Sequence, residues 1–284
     1  MDYYIVIPIH NEEAYLESTL NSILGQTLPP KKVILVNDNS TDSTDSIINS
    51  FTSKHTIFQK LNIISSTQHM PGSKVINAFN EGFNLLDVSF DFIVKLDADI
   101  ILPNNYFEII STHFRNEPKL GICGGFIYEK NATGKWIINH PMDKDHVRGA
   151  FKAYSSTCFK AIGGLKNAMG WDTVDELLAK FNGFLIQTDP NLKIKHLRPT
   201  GKAYNKNAKR LQGKAMYSMR YGFLITCIAS IKMATKNKSI KSFWNNIAGF
   251  MTAALKNDSY LVNKEEGKFI RQLRWKNIKK KIYA

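Results

Sequence analysis

The strongest constraint on this chain is an alternation, over its first hundred residues, between short β-branched runs and amphipathic stretches. Tyr3–Ile9 (YYIVIPI), Lys31–Asn37 (KKVILVN), Leu61–Ser65 and Asp91–Leu96 (DFIVKL) are expected strands. Leu16, Leu20, Ile23 and Leu24 recur at helical spacing behind Asn11, a cap residue. Ile47, Ile48 and Phe51 follow a turn at 38–42 (DNSTD), where Ser40 or Thr41 is placed to cap. Val75, Ile76, Phe79 and Phe83 share one face of a helix predicted over Gly72–Leu86. Apolar strands between amphipathic helices imply a parallel sheet covered on both faces. In such α/β sheets, ligands bind beyond the carboxyl ends of the strands. Polar clusters stand at three of these ends: His10-Asn11-Glu12, Asn37-Asp38-Asn39, and Asp97 with Asp99.

Beyond Pro103 the pattern changes. Gly121–Tyr128, Lys135–Ile138 and Phe184–Thr188 read as strands, Val147–Ile162 as a helix and Asp172–Phe181 as a short helix. From about residue 201 the chain reads as helical and basic, with an apolar stripe through Phe243, Trp244, Ile247, Phe250, Met251, Ala254 and Leu255. The expected division is a catalytic domain over residues 1–200 and a basic helical extension over 201–284. Residues 1–189 carry 16 Lys/Arg against 21 Asp/Glu, whereas residues 190–284 carry 22 against 3. A basic end of this kind suits an anionic membrane surface, a phosphate-bearing substrate or a nucleic acid, or is simply a solvated face. No recognisable DNA or RNA module is present, and the acidic clusters would repel phosphates, so no nucleic-acid partner is expected.

The longest uncharged apolar stretch, Tyr221–Ile231, falls short of the roughly 20 residues that a membrane-spanning helix needs. The first nine residues lack the basic leader and cleavage site of a signal peptide. Cys123, Cys158 and Cys227 make neither a disulfide framework nor a zinc spacing, and free thiols fit a reducing compartment. The expectation is a cytoplasmic protein, peripheral on the inner face of the cell membrane.

Asp97 and Asp99 stand two residues apart beyond a buried strand, so a turn brings both to one cation. Magnesium and manganese prefer oxygen ligands, commonly one or two carboxylates plus substrate phosphates. A cation there would neutralise charge growing on a departing diphosphate. Asp38 is placed to accept from a base N–H or a ribose hydroxyl, with helix capping as its structural alternative. Glu12 is placed to accept from ribose hydroxyls, with a favourable helix-dipole interaction as its alternative. Pro8 and His10 shape the same loop, His10 beside the base. Lys74 begins a helix, where a lysine reaches a phosphate with help from the helix N-terminus; the alternative is a surface lysine.

Pro8-Ile9-His10-Asn11-Glu12-Glu13, Val36-Asn37-Asp38-Asn39-Ser40-Thr41-Asp42, Gly72-Ser73-Lys74 with Ala78, Asn80 and Gly82, and Leu96-Asp97-Ala98-Asp99 together resemble family 2 glycosyltransferases of the GT-A fold. Order and spacing both agree, over about residues 3–200. The resemblance implies a Rossmann-like, mostly parallel sheet flanked by helices, and inverting transfer from a nucleotide-activated sugar, with UDP as the default nucleotide. It implies that Pro8, His10, Glu12 and Asp38 bind the nucleoside, that Asp97 faces the ribose or the diphosphate, and that Asp99 holds a Mn or Mg ion. The family often has Tyr, Phe or Ser where His10 stands. The acceptor is expected to be a saccharide or a lipid-linked molecule.

Inverting transfer needs a general base to take the acceptor proton. The family places an acidic pair, often Glu-Asp, at the start of a late helix. Here Asp172, Asp175 and Glu176 are the candidates, with Asp175 favoured, and the Asp-Glu order leaves the register open. A helix N-terminus that merely collects acids is the structural alternative. Trp171 is placed to stack on a sugar or to fill a core. By resemblance, His196 is a further metal ligand, Arg198 a diphosphate contact, and Gly124-Gly125 and Gly163-Gly164 close backbone approaches on the acceptor side. A sugar-nucleotide nucleotidyltransferase is the competing enzyme class. It would need a Gly-rich, cationic loop after the first strand, where this chain has the acidic Pro8–Glu13.

Overall fold

The computed structural model describes residues 1–65, 72–87, 89–139, 146–198, 208–236 and 238–282. In chain order its elements are β1 (Tyr3–Ile9), α1 (Leu16–Leu24), β2 (Lys32–Asp38), α2 (Thr44–Lys54), β3 (Phe58–Ile63), α3 (Ser73–Phe83), β4 (Phe92–Leu96), β5 (Ile100–Ile101), α4 (Tyr106–Asn116), β6 (Leu120–Lys130), β7 (Trp136–Ile138), β8 (Phe151–Ser155), α5 (Ser156–Ala161), α6 (Trp171–Phe181), β9 (Leu185–His196), α7 (Ala208–Ser218), α8 (Phe223–Lys236), α9 (Ile240–Leu255) and α10 (Lys264–Ile282). They fall into two compact units. One holds Met1–His69, Lys74–Leu165 and Asn182–Thr200; the other holds Met70–Ser73, Lys166–Phe181 and Gly201–Ala284.

The first unit is built on one sheet of order β3-β2-β1-β4-β8-β6-β9-β5, with β7 hydrogen-bonded to β6. β3, β2, β1 and β4 run parallel, β8 is antiparallel to β4 and β6, and β9 is parallel to β6. The carboxyl ends of β1, β2, β4, β6 and β9 therefore share one edge. All seven residues of β1 and all five of β4 are buried, as strands covered on both faces must be. Burial of each Val, Ile, Leu or Phe side chain among them is worth about 1.5–3 kcal/mol, whereas the buried ammonium of Lys95 needs a partner charge. α3 lies close on the sheet through Gly82, where a Cβ would come within 2.6 Å of Val36 Cγ2 and 2.7 Å of Val6 Cγ1.

Several expectations need correction. Val147–Ile162 is not one helix but β8 followed by α5, broken where the Ser155 hydroxyl caps α5 by accepting from Cys158 N (3.3 Å). β8 (FKAYS) is inserted between β4 and β6 and buries Lys152 along with Phe151, Ala153 and Tyr154, so it lacks the continuous apolar run that marks β1. Asn11 does not cap α1. It takes a left-handed backbone (φ 53°), and its side chain accepts from Thr41 N across the loops (2.8 Å). Ser40 and Thr41 do not cap α2 either; the helix starts at Thr44, whose N–H bonds Asp42 Oδ1 (3.0 Å). β3 starts at Phe58, three residues before the expected Leu61, because buried Phe58 pairs with Val33. α4 and β5 were not anticipated. β9 continues to His196, far past Thr188, with residues 190–192 looped out between the Gly125–Asp189 and Phe126–Lys193 pairs. Gly125 permits that loop: a Cβ there would meet the Leu192 carbonyl oxygen at 2.4 Å.

The second unit contains α6 to α10. α7 and α9 cross at contact between their backbones. A Cβ on Gly213 would lie 1.8 Å from the Asn246 carbonyl oxygen, and one on Gly249 would lie 1.9 Å from that of Arg210. Phe181 of α6 packs edge-on against Phe269 of α10 (5.6 Å between ring centroids).

Candidate functional site

The loop between β4 and β5 carries both Asp97 and Asp99, and three backbone anchors fix it. Asp97 N donates to Ala150 O (2.8 Å), Thr19 Oγ1 of α1 donates to Ala98 O (2.7 Å), and Leu197 N donates to Asp99 O (2.9 Å). β5 is only two residues long, yet its pairing of Ile100 with His196 brings the end of β9 beside this loop. His196 Nε2 then stands 3.3 Å from Asp99 Oδ2, and His196 Nδ1 stands 3.0 Å from Glu129 Oε1 at the end of β6. Arg198 reaches across to Glu12, where Nη2 donates to Oε2, and its Nε lies 3.7 Å from Asp99 Oδ2. The Arg198 guanidinium also sits over the Tyr15 ring, 5.4 Å from its centroid. Behind Asp97, the ammonium of Lys95, buried in β4, pairs with Asp97 Oδ1.

Four carboxylates thus gather at the sheet edge: Glu12, Asp97, Asp99 and Glu129. Burial pushes the Glu12 carboxyl up to about 7; Arg198 opposes this, and the charges of Asp99 and Asp97 add to it. Burial alone would lower the pKa of His196, but hydrogen bonds and charge from Asp99 and Glu129, with Asp97 behind them, outweigh it and raise it. Such a concentration of acids favours a bound cation.

A divalent ion fits the donors present. Adjacent ligands of an octahedral ion with bonds of about 2.1 Å stand about 3 Å apart, close to the Asp99–His196 separation. An imidazole and a carboxylate are suitable donors for manganese. Glu129 on the far ring nitrogen makes the carboxylate–imidazole arrangement that orients metal-bound histidines. Among the described residues, no three His, Cys, Asp or Glu side chains converge to form a complete site. The remaining positions would fall to phosphate and water, as is usual for magnesium.

A second cluster joins the ends of β1 and β2. His10 Nδ1 donates to the Asp38 carbonyl (2.7 Å), and Asn11 N donates to Ser40 Oγ (3.1 Å). The Asp38 carboxylate accepts from Ser65 N (2.8 Å) and Ser65 Oγ (2.6 Å), which fixes its plane. Pro8 is buried in β1 opposite Val36, His10 is exposed, and Lys74 is half-buried in the first turn of α3. Trp171, Asp172, Asp175 and Glu176 open α6 in the second unit. Trp171 is buried and touches Gly72, while Asp175 and Glu176 are buried and Asp172 half-buried. Asp175 Oδ1 accepts from Glu176 N (2.6 Å).

The structure therefore unites Glu12, Asp97, Asp99, His196 and Arg198, and separately joins His10 to Asp38. Lys95, Glu129 and Thr19 were missed. Lys95 was readable only as an anomaly, a lysine inside an apolar strand, and Glu129 only as an acid at a strand end. Gly124 and Gly125 are close approaches, but to Val147 and Leu192 of the same unit.

The sequence profile of glycosyl transferase family 2 matches residues 4–207, most of the chain and every residue of the sheet-edge cluster. The chain belongs to glycosyl transferase family 2. Among curated relatives, the poly-beta-1,6-N-acetyl-D-glucosamine synthase of Staphylococcus epidermidis is 30% identical over 181 residues, which cover 59% of this family 2 chain and 41% of that protein. The Staphylococcus aureus (strain COL) enzyme of the same name is 28% identical over 120 residues, covering 42% and 27%. The matches thus span less than half of those relatives' lengths. The fold is shared with S. aureus TarS 1-349 in complex with UDP-GlcNAc (TM-score 0.57, 19% identity, 78% of this chain and 65% of that one). It is also shared with the mannosyltransferase PcManGT from Pyrobaculum calidifontis in complex with GDP-Man and Mn2+ (TM-score 0.58, 14% identity, 95% and 78%). The expected GT-A α/β architecture and the family assignment are borne out. No helix among the described residues is long and apolar enough to cross a membrane.

Proposed function

We propose that this chain transfers a sugar from a UDP-sugar, with UDP-N-acetylglucosamine favoured, to a hydroxyl of a saccharide or lipid-linked acceptor. The setting would be synthesis of a cell-surface polysaccharide or glycolipid. The observation that carries the reading is the Asp99–His196 pair, with Arg198 and Glu12 alongside, at the carboxyl edge of a family 2 sheet. The relatives named for N-acetylglucosamine polymers, and the TarS structure holding UDP-GlcNAc, favour that donor over GDP-mannose.

Asp99 and His196 would hold a manganese or magnesium ion, with Asp97 beside it, and that ion supplies charge neutralisation for the leaving diphosphate. Asp38, held by Ser65, would accept from the base or ribose; Pro8, His10 and Glu12 would complete the nucleoside site. Arg198 and Lys74 would contact phosphate. Asp175 would act as base, with Asp172 and Glu176 as alternatives. The acceptor oxygen attacks the anomeric carbon as its proton passes to the carboxylate, and the bond from carbon to the phosphate oxygen breaks with inversion. Trp171 would support the sugar or shape the wall behind it. Residues 1–200 would then do the chemistry, and the basic residues 201–284 would hold the enzyme peripherally on the inner, anionic face of the cell membrane.

A donor-hydrolysis screen over UDP-, GDP- and TDP-sugars, with and without manganese, tests this. Manganese-dependent release of UDP is expected. Release from GDP-sugars alone, or equal rates in chelator, would contradict it.

A further inference from the structure

Within the second unit, α9 has two unlike sides. Ser242, Asn246, Gly249 and Ala253 are buried, on the side that crosses α7. Ile240 (72% exposed), Trp244 (63%), Met251 and Leu255 (79%) stand outside, separated by four, seven and four residues. Those steps are whole turns, so they form one apolar stripe along a 16-residue helix about 24 Å long. α8 packs against α9 and carries a stripe of its own, in which Leu224, Ile228 and Ile231 are exposed at steps of four and three. An indole and six aliphatic side chains on two neighbouring helices exceed the scattered apolar exposure of an ordinary surface.

The charge around them identifies the occupant. Residues 201–284 carry 19 Lys/Arg against 3 Asp/Glu, so two copies of this surface would repel each other. Lys232, Lys236 and Lys241 occupy the same two helices as the stripes. Apolar helix faces bearing Trp and Leu, edged by lysines, have the composition of helices that lie in a bilayer interface.

We propose that α8 and α9 form a docking face for an anionic bilayer. Their apolar stripes enter the boundary between headgroups and acyl chains, and Lys232, Lys236 and Lys241 meet lipid phosphate. The inference rests on the peripheral association proposed above and assigns it a surface.

The test is co-sedimentation of the full chain with vesicles of phosphatidylcholine alone, or of phosphatidylcholine with 30% phosphatidylglycerol. Wild type should bind the mixed vesicles, and should bind them less in 1 M salt. Ile240→Ser with Trp244→Ser should weaken binding at least about tenfold. Lys236→Glu with Lys241→Glu should do so too, since each cation at such a surface is worth about fivefold. Circular dichroism confirms that each variant is folded; should either double variant misfold, Trp244→Ala, which trims only an exposed side chain, replaces it. No binding to mixed vesicles, equal binding to both compositions, or wild-type binding by the folded variants would overturn the proposal. So would a dimer in light scattering that disappears in the Ile240/Trp244 variant. Vesicle binding needs no nucleotide sugar, so its failure would leave the donor reading standing. Loss of turnover with intact vesicle binding would count against the donor reading alone.

Discussion

Glu129 offers the sharpest test of how the site is built, because it would act only through His196. Its Oε1 lies 3.0 Å from His196 Nδ1, and the two side chains are 13% and 12% exposed. A hydrogen bond to a charged group at such a site is worth about 1.5–3 kcal/mol. Loss of the partner behind a metal-bound histidine typically weakens metal affinity 10–100-fold, or about 1.4–2.7 kcal/mol at 1.36 kcal/mol per decade. The two estimates agree, so Glu129→Ala should raise the manganese dissociation constant 10–100-fold. Glu129→Gln keeps an acceptor for the ring N–H but loses the charge, and should cost less than about tenfold. The assay is titration of manganese in the presence of UDP, with free manganese read by electron paramagnetic resonance at fixed pH. UDP affinity in chelator should not change. A manganese affinity within twofold of wild type in a folded Glu129→Ala protein would mean that His196 is not a ligand or that its ring is oriented by other contacts.

Two further outcomes are expected. Asp175→Asn should abolish transfer while leaving donor affinity nearly intact, as read by initial rates and by UDP-sugar titration; unchanged transfer would move the base to Asp172 or Glu176. Gly249→Ala should force α7 and α9 apart, because its Cβ would lie 1.9 Å from Arg210 O. The cost should be at least about 1–3 kcal/mol, seen as a lower midpoint in denaturant unfolding, and an unchanged midpoint would show that the two helices do not cross so closely.

The parallel half of the sheet was legible because β1, β2 and β4 are apolar throughout and end in polar clusters. β8 was not, because its five residues (FKAYS) bury Lys152 in their midst and show no continuous apolar run. α4 carries a helical signal in Tyr106, Phe107, Ile110 and Phe114, all buried in the fold. At the site, Asp97 and Asp99 stood out through their place after a strand. Their juxtaposition with His196 depends on β5, whose two residues leave no pattern in a sequence. Glu129 is 67 residues from its partner and comes near only because β6 and β9 run side by side. Contacts of that kind arise from strand order, and local periodicity does not encode strand order.

The Asp97–Asp99 loop and His196 should bind a nucleotide sugar through a divalent ion. Calorimetric titration of UDP-N-acetylglucosamine into wild type and Asp99→Ala, with manganese and with chelator, addresses it directly. Wild type should bind in manganese, at least about tenfold more weakly in chelator, and Asp99→Ala should show the same weak affinity in both. Equal binding by both proteins in both buffers, or no binding of the sugar nucleotide by wild type in manganese, would rule out a metal-bridged nucleotide-sugar site at this loop.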